Sequence, residues 1–137
     1  MFLIKYITAL IIATAISATV SAKVIHVEYY SNGNVKIEMI KLKKGIIQIN
    51  QYYPDGRVFE TGFSKNGLFQ GQWTRYDKQG EVVATAFFKN NVKIGNWNHV
   101  TPYDQSVSKV SYRNGKAVSL KKYDTSGNLI ASQERVP

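Results

Sequence analysis

Turn signals return along this chain at a nearly constant interval, and that interval constrains the fold more than any other feature. A Tyr followed by a short polar stretch ending in Gly occurs four times: Tyr30-Ser-Asn-Gly33, Tyr53-Pro-Asp-Gly56, Tyr76-Asp-Lys-Gln-Gly80 and Tyr123-Asp-Thr-Ser-Gly127. Between these lies a second class of turn, at Lys44-Gly45, Asn66-Gly67, Asn90-Asn91 and Asn114-Gly115. Gly71-Gln-Trp73 and Gly95-Asn-Trp97 form a third landmark. The first three tyrosines stand 23 residues apart, and the two Gly-x-Trp steps stand 24 apart. Three landmarks with one period mark a chain of stacked supersecondary units.

The stretches between turns read as strands. Val35, Ile37 and Met39 alternate with Lys36, Glu38 and Ile40, and Phe59, Thr61 and Phe63 alternate with Val58, Glu60 and Gly62. Period-two patterning bounded by Asn-Gly or Asp-Gly turns is the pattern of consecutive β-hairpins. Gly33, Gly56, Gly67, Gly80, Gly115 and Gly127 are the expected structural turn residues, since they tolerate the positive φ such turns need. Each repeat then forms one hairpin, and successive hairpins pair edge to edge. The expected fold is all-β: a single-layer antiparallel meander of repeated hairpins. Aromatic rings at equivalent positions should stack in columns on one face. Gly62, Gly71 and Gly95, at strand-like positions, should let the sheet curl or a ring approach closely.

The first 22 residues follow a different rule. Lys5 precedes an apolar run from Tyr6 to Ile16, and small residues stand at Val20 and Ala22. A basic start, a short apolar core and small residues before a cut site make a signal peptide, with cleavage expected between Ala22 and Lys23. A full membrane span would need roughly 20 apolar residues, and Thr14, Ser17, Thr19 and Ser21 interrupt this one. The expected organisation is a signal-peptide helix over 1–22 and a repeat domain over 23–137, in a protein exported to the periplasm or beyond.

The spacing of Tyr, turn, Gly and Gly-x-Trp resembles the MORN repeat family, in the bacterial variant whose units close with Gly-x-Trp. Tyr53 through Trp73 is the clearest copy and Tyr76 through Trp97 the next. The first unit lacks a Gly-x-Trp after Gly45, and Val100–Val110 carries Thr-Pro-Tyr-Asp-Gln-Ser where another Tyr-turn-Gly is expected. The resemblance implies an elongated, twisted hairpin sheet. For function it implies membrane-lipid contact or scaffolding of partner proteins. Many such bacterial variants bear an antitoxin-like label, although a cytoplasmic antitoxin would not need a signal peptide.

Catalytic sets are missing from the sequence. There is no Cys, which removes thiol nucleophiles, disulfides and thiolate metal sites. The two histidines, His26 and His99, show no metal-ligand spacing. Asp55, Asp77 and Asp124 recur beside turns, which suits Asx turns better than a calcium loop. Glu28, Glu38, Glu60 and Glu81 are expected opposite lysines in cross-strand pairs. No cofactor, no metal and no enzyme activity are therefore expected.

The expected function is a non-catalytic module that binds a protein partner through its sheet face or edge. Tyr53, Trp73, Tyr76 and Trp97 are the candidate contact residues, with Lys41, Lys43 and Lys44 as the one dense basic cluster. The formal charge of +9 offers an alternative, peripheral attachment to anionic lipid headgroups or glycans. A third reading is a hydrolase of envelope polymers with a carboxylate pair drawn from distant strands. Export and the regular ring spacing argue against single-stranded nucleic acid as the partner. The Lys41–Lys44 segment and the Ser132–Pro137 tail are expected to blunt the sheet's open edges.

Overall fold

A computed structural model describes residues 22–135; the expected signal helix lies outside the described residues. Eleven strands make one sheet: β1 Lys23–Tyr29, β2 Val35–Lys41, β3 Ile46–Tyr52, β4 Val58–Lys65, β5 Leu68–Tyr76 and β6 Val82–Lys89. They continue with β7 Val92–Lys93, β8 Gly95–Val100, β9 Val107–Arg113, β10 Lys116–Tyr123 and β11 Leu129–Glu134. Each strand pairs antiparallel with its successor, except that β6 pairs with both the short β7 and β8. The sheet does not close, since β1 and β11 are its two ends. This is the meander expected from the repeat.

Local backbone geometry accounts for the alternation of turns. At all four Asn-Gly-class turns both central residues have positive φ: Lys44 and Gly45, Asn66 and Gly67, Asn90 and Asn91, Asn114 and Gly115. That combination defines the tight turn whose twist matches the flanking strands. At the other end of the strands the turns are longer. The first residue's N–H reaches the fifth residue's carbonyl, as in Tyr30 to Asn34, Tyr53 to Arg57, Asp77 to Glu81 and Asp124 to Asn128.

These bonds correct one equivalence expected from spacing. Tyr76 and Tyr123 are the last residues of their strands, one position before the turn, and so correspond to Tyr29 and Tyr52 rather than to Tyr30 and Tyr53. The first turn position holds Tyr, Tyr, Asp and Asp in order. The Asp side chains accordingly close the turns in two ways. Asp55, at the third turn position, accepts from the Arg57 N–H, as Asn32 does from Asn34. Asp77 and Asp124, at the first position, each accept from the third and fifth N–H groups. Where Tyr-turn-Gly is missing, Thr101–Ser106 makes a turn one residue longer. Asp104 closes it by accepting from both the N–H and the hydroxyl of Ser106.

A single-layer sheet buries little. Among the described residues, Trp73 is the one apolar side chain under a tenth exposed, at 7%. Cohesion therefore comes from neighbouring strands and from bonds between repeats. One residue from each strand except β7 falls in a cross-sheet row: Val27, Glu38, Asn50, Thr61, Thr74 and Thr85. The row continues through Asn98, Lys109 and Lys121 to Ser132. Side chains link along it: Asn50 donates to Glu38, Thr61 to Asn50, and Asn98 to Thr85.

The lysine pairings expected for the glutamates do not occur. Glu60 pairs with Arg75 on the next strand, Glu28 lies beside His26 on its own strand, and Glu38 accepts from Tyr52 and Asn50. Glu81 lies outside any strand, in the turn before β6. Of the two segments expected to blunt the edges, only the C-terminal one lies on an edge strand, and its residues 136–137 lie outside the described residues. Lys43 and Lys44 sit in the 3-10 turn between β2 and β3, away from both edges, while Ser132–Glu134 belong to the edge strand itself.

Candidate binding groove on the tryptophan face

The two Gly-x-Trp steps fold identically. Gly71 and Gly95 take φ of 66° and 65°, the left-handed conformation that glycine reaches without penalty. Two residues later the indole lies back over the sheet. Trp73 Nε1–H donates to the Phe63 carbonyl at 3.2 Å, and Trp97 Nε1–H donates to the Phe87 carbonyl at 3.1 Å. Each tryptophan thus satisfies its polar atom on the backbone ten residues earlier and leaves its ring to pack.

A chain of five rings results. Phe69 lies 4.4 Å from Trp73 and 5.5 Å from Phe88 between ring centroids. Phe88 is 5.0 Å from Trp97, which is 4.8 Å from Tyr112. The expected column therefore exists, but phenylalanines connect the tryptophans. The Lys93 ammonium sits over Trp97 at 4.7 Å, a cation–π contact.

Between the tryptophans runs a groove of about 480 Å³, within the range of small-ligand sites. Ala84, Ala86 and Val110 lie along it, with the rings of Phe69, Trp73, Phe88 and Trp97 beside them. Small residues there leave room between large ones. Gln51, Glu60, Arg75, His99 and Ser108 add polar groups. Arg75 donates to Glu60 through Nε at 3.1 Å and Nη2 at 2.9 Å, and its guanidinium lies 5.0 Å from the Phe59 ring centroid. The rim thus has one fixed carboxylate–guanidinium pair and one histidine among neutral polar groups.

The residues expected to form one site fall into three places. Trp73 and Trp97 share the groove, with Trp73 buried and Trp97 half-buried. Tyr53 and Tyr76 lie at the long-turn end, where the Tyr53 hydroxyl donates to the Tyr76 carbonyl at 2.9 Å. Lys41, Lys43 and Lys44 are exposed at the opposite end, around the β2–β3 turn. The tyrosines hold turns together: Tyr30 likewise donates to the Tyr52 carbonyl, at 2.7 Å. Asn34 reaches the Pro54 carbonyl and Arg57 the Lys78 carbonyl, so the fifth residues of the first two long turns tie each to the next turn.

Sequence reasoning missed Phe69, Phe88, Tyr112, Ala84, Glu60, Arg75 and His99 as neighbours of the tryptophans. The cross-strand register would have found part of this set. Ala84 lies opposite both Arg75 and His99, and Trp97 lies opposite Val110.

A family model described as a MORN repeat variant matches residues 25–40 and 69–90. These stretches correspond to the β1–β2 hairpin and most of the β5–β6 hairpin, each centred on a long turn. The MORN-type repeat is therefore present, in phase with the hairpins rather than with the Tyr53–Trp73 unit. No curated protein and no solved structure matches the chain.

Proposed function

We propose that this MORN-repeat sheet is an exported, non-catalytic binding module that holds a segment of a partner protein in the groove between Trp73 and Trp97. The observation behind this reading is the groove itself, a largely apolar channel with a few convergent polar groups. An apolar side chain of the partner fits against Ala84 and Ala86, while the rim binds its polar neighbours. The net charge of +9 favours a partner segment with acidic flanks, because opposite potentials steer association and suppress wrong partners.

Ala84→Glu tests this reading. The new carboxylate would stand opposite Arg75 and His99, so the sheet tolerates it while the groove fills. Capture of the partner from the cell envelope should fall at least tenfold with thermal unfolding unchanged. Undiminished capture would move the contact surface elsewhere.

A second reading, attachment to anionic lipid or glycan, is favoured by one local observation. Lys109 and Lys121 are direct cross-strand partners, and like charges in that position repel. Bound polyanion would relieve that repulsion, at about 1 kcal/mol per basic residue near a lipid surface. Flotation with anionic vesicles that weakens steeply with salt would support it. Indifference to anionic lipid would remove it.

A further inference from the structure

We infer that copies of this chain join end to end, with β11 of one copy pairing antiparallel to β1 of the next, in the register that continues the repeat. The two edges are complementary because the chain already makes this junction four times. Every strand leaving a long turn pairs with a strand entering the next one: β2 with β3, β4 with β5, β6 with β8 and β9 with β10. β11 leaves the last long turn, and β1 enters the first. Neither has an outer neighbour among the described residues.

The existing junctions specify the register. The cross-sheet row crosses them as Glu38–Asn50, Thr61–Thr74, Thr85–Asn98 and Lys109–Lys121. It ends at Ser132 on one edge and begins at Val27 on the other. Continuing it places Ser132 opposite Val27 of a second copy, and Ala131 opposite Glu28. Beyond this point the junctions differ: the unbulged β2–β3 and β9–β10 registers translate to Glu134 opposite Ile25, and the bulged β4–β5 register to Glu134 opposite Lys23.

Both edges carry the apolar surface that such a junction would cover. Leu129 and Ile130 are each 53% exposed on β11, and Val24, Ile25 and Tyr29 are exposed on β1. Unpaired edges of this kind template strand addition. Asn128 occupies the fifth turn position, where Asn34 and Arg57 reach the next turn's carbonyl; its Nδ2 donates to Asp124 of its own turn and has a second hydrogen for such a contact. Because β1 and β11 are different surfaces, the contact is heterologous and propagates into a line instead of closing as a dimer.

Absence of cysteine makes the register directly testable. Directly opposed residues on neighbouring strands lie about 4.5–5.5 Å apart, within disulfide range. Val27→Cys and Ser132→Cys proteins, isolated in whatever processed form the cell yields, should cross-link when mixed under oxidation, while neither forms a disulfide dimer alone. Gln133→Cys, one residue out of register, should not link to Val27→Cys. In sedimentation, the unmodified protein should shift to larger species with rising concentration. Ser132→Pro should abolish that shift, since its N–H points away from β10; the inward group on this stretch is that of Arg135, bonded to Val118, three residues and so an odd number of alternations away. A monomer at every concentration, a Ser132→Cys homodimer, or equal linking through Gln133→Cys would each overturn the proposal. The groove is built from β3–β9 and takes no part in this contact, so its failure would leave the end-to-end pairing intact.

Discussion

A Cβ on Gly62 would lie 2.1 Å from Cδ2 of Trp73, inside the indole. Gly62 is therefore required for space. The indole cannot retreat without giving up its hydrogen bond to the Phe63 carbonyl. Gly62→Ala should cost about 1–3 kcal/mol, the range for overpacking, measured by chemical denaturation. Adding Trp73→Leu should recover part of that loss. A neutral Gly62→Ala would mean that the indole has another place to sit.

The Tyr30 and Tyr53 hydroxyls, at the first turn position, tie the first hairpin to the second and the second to the third. Tyr53→Phe removes the bond to the Tyr76 carbonyl while keeping the ring against Phe59, 5.1 Å away. Stability should fall by about 1 kcal/mol, as for a typical hydrogen bond. Tyr76→Phe should have a smaller effect, because in that pair Tyr76 contributes its backbone carbonyl and not its hydroxyl. Equal losses from the two variants would contradict the turn assignment.

Glu60 and Arg75 form the ion pair beside the groove, with side chains 18% and 46% exposed. At that exposure water and salt screen the attraction, so the coupling should be about 0.2–1 kcal/mol. A double-mutant cycle of Glu60→Gln and Arg75→Gln measures it. The coupling should shrink in 1 M salt, where screening acts within about 3 Å. A coupling indifferent to salt would point to the stacking of Arg75 on Phe59 instead.

Two turn carboxylates are held at about 2: Asp55 by the Arg57 side chain, and Asp104 by the Ser106 hydroxyl, with the Ser106 N–H and Lys122 adding to it. A carboxyl whose value is lowered on folding stabilises the fold above its ordinary range, near 4. That stabilisation is lost as pH falls toward 2. The Thr101–Ser106 turn should therefore loosen between about pH 4 and pH 2. Amide exchange at Ser106 reports it. Asp104→Asn should show faster exchange already at neutral pH and no further acid step at this turn.

Turns were the part of this fold most legible in the sequence. Asn66-Gly67 or Asn114-Gly115 determines its own φ values within two residues, so no distant contact is needed to recognise it. The Gly-x-Trp step was legible as a landmark, but its purpose was not. The close approach of a ring to Gly62 was expected and occurs, but that the ring is Trp73 depends on two strands meeting in register across a bulge. The tyrosine phase was misread for a similar reason. Tyr53 and Tyr76 look alike in spacing, and only the turn hydrogen bonds separate them. The glutamate partners went wrong because cross-strand neighbours follow from register, which bulges shift by a residue.

By itself, then, the sequence determined an all-β chain of antiparallel hairpins, two alternating turn types and the residues with left-handed backbone at each. These are local choices, made within four or five residues by glycine, asparagine and aspartate. Tertiary structure alone decided the groove and the ends. The groove needs Glu60, Trp73, Ala84 and Trp97 from four strands on one face. The complementary edges appear only when Val27 and Ser132 become the two termini of one cross-sheet row. Both depend on how strands slide against one another, and that register is set by side chains far apart in the chain.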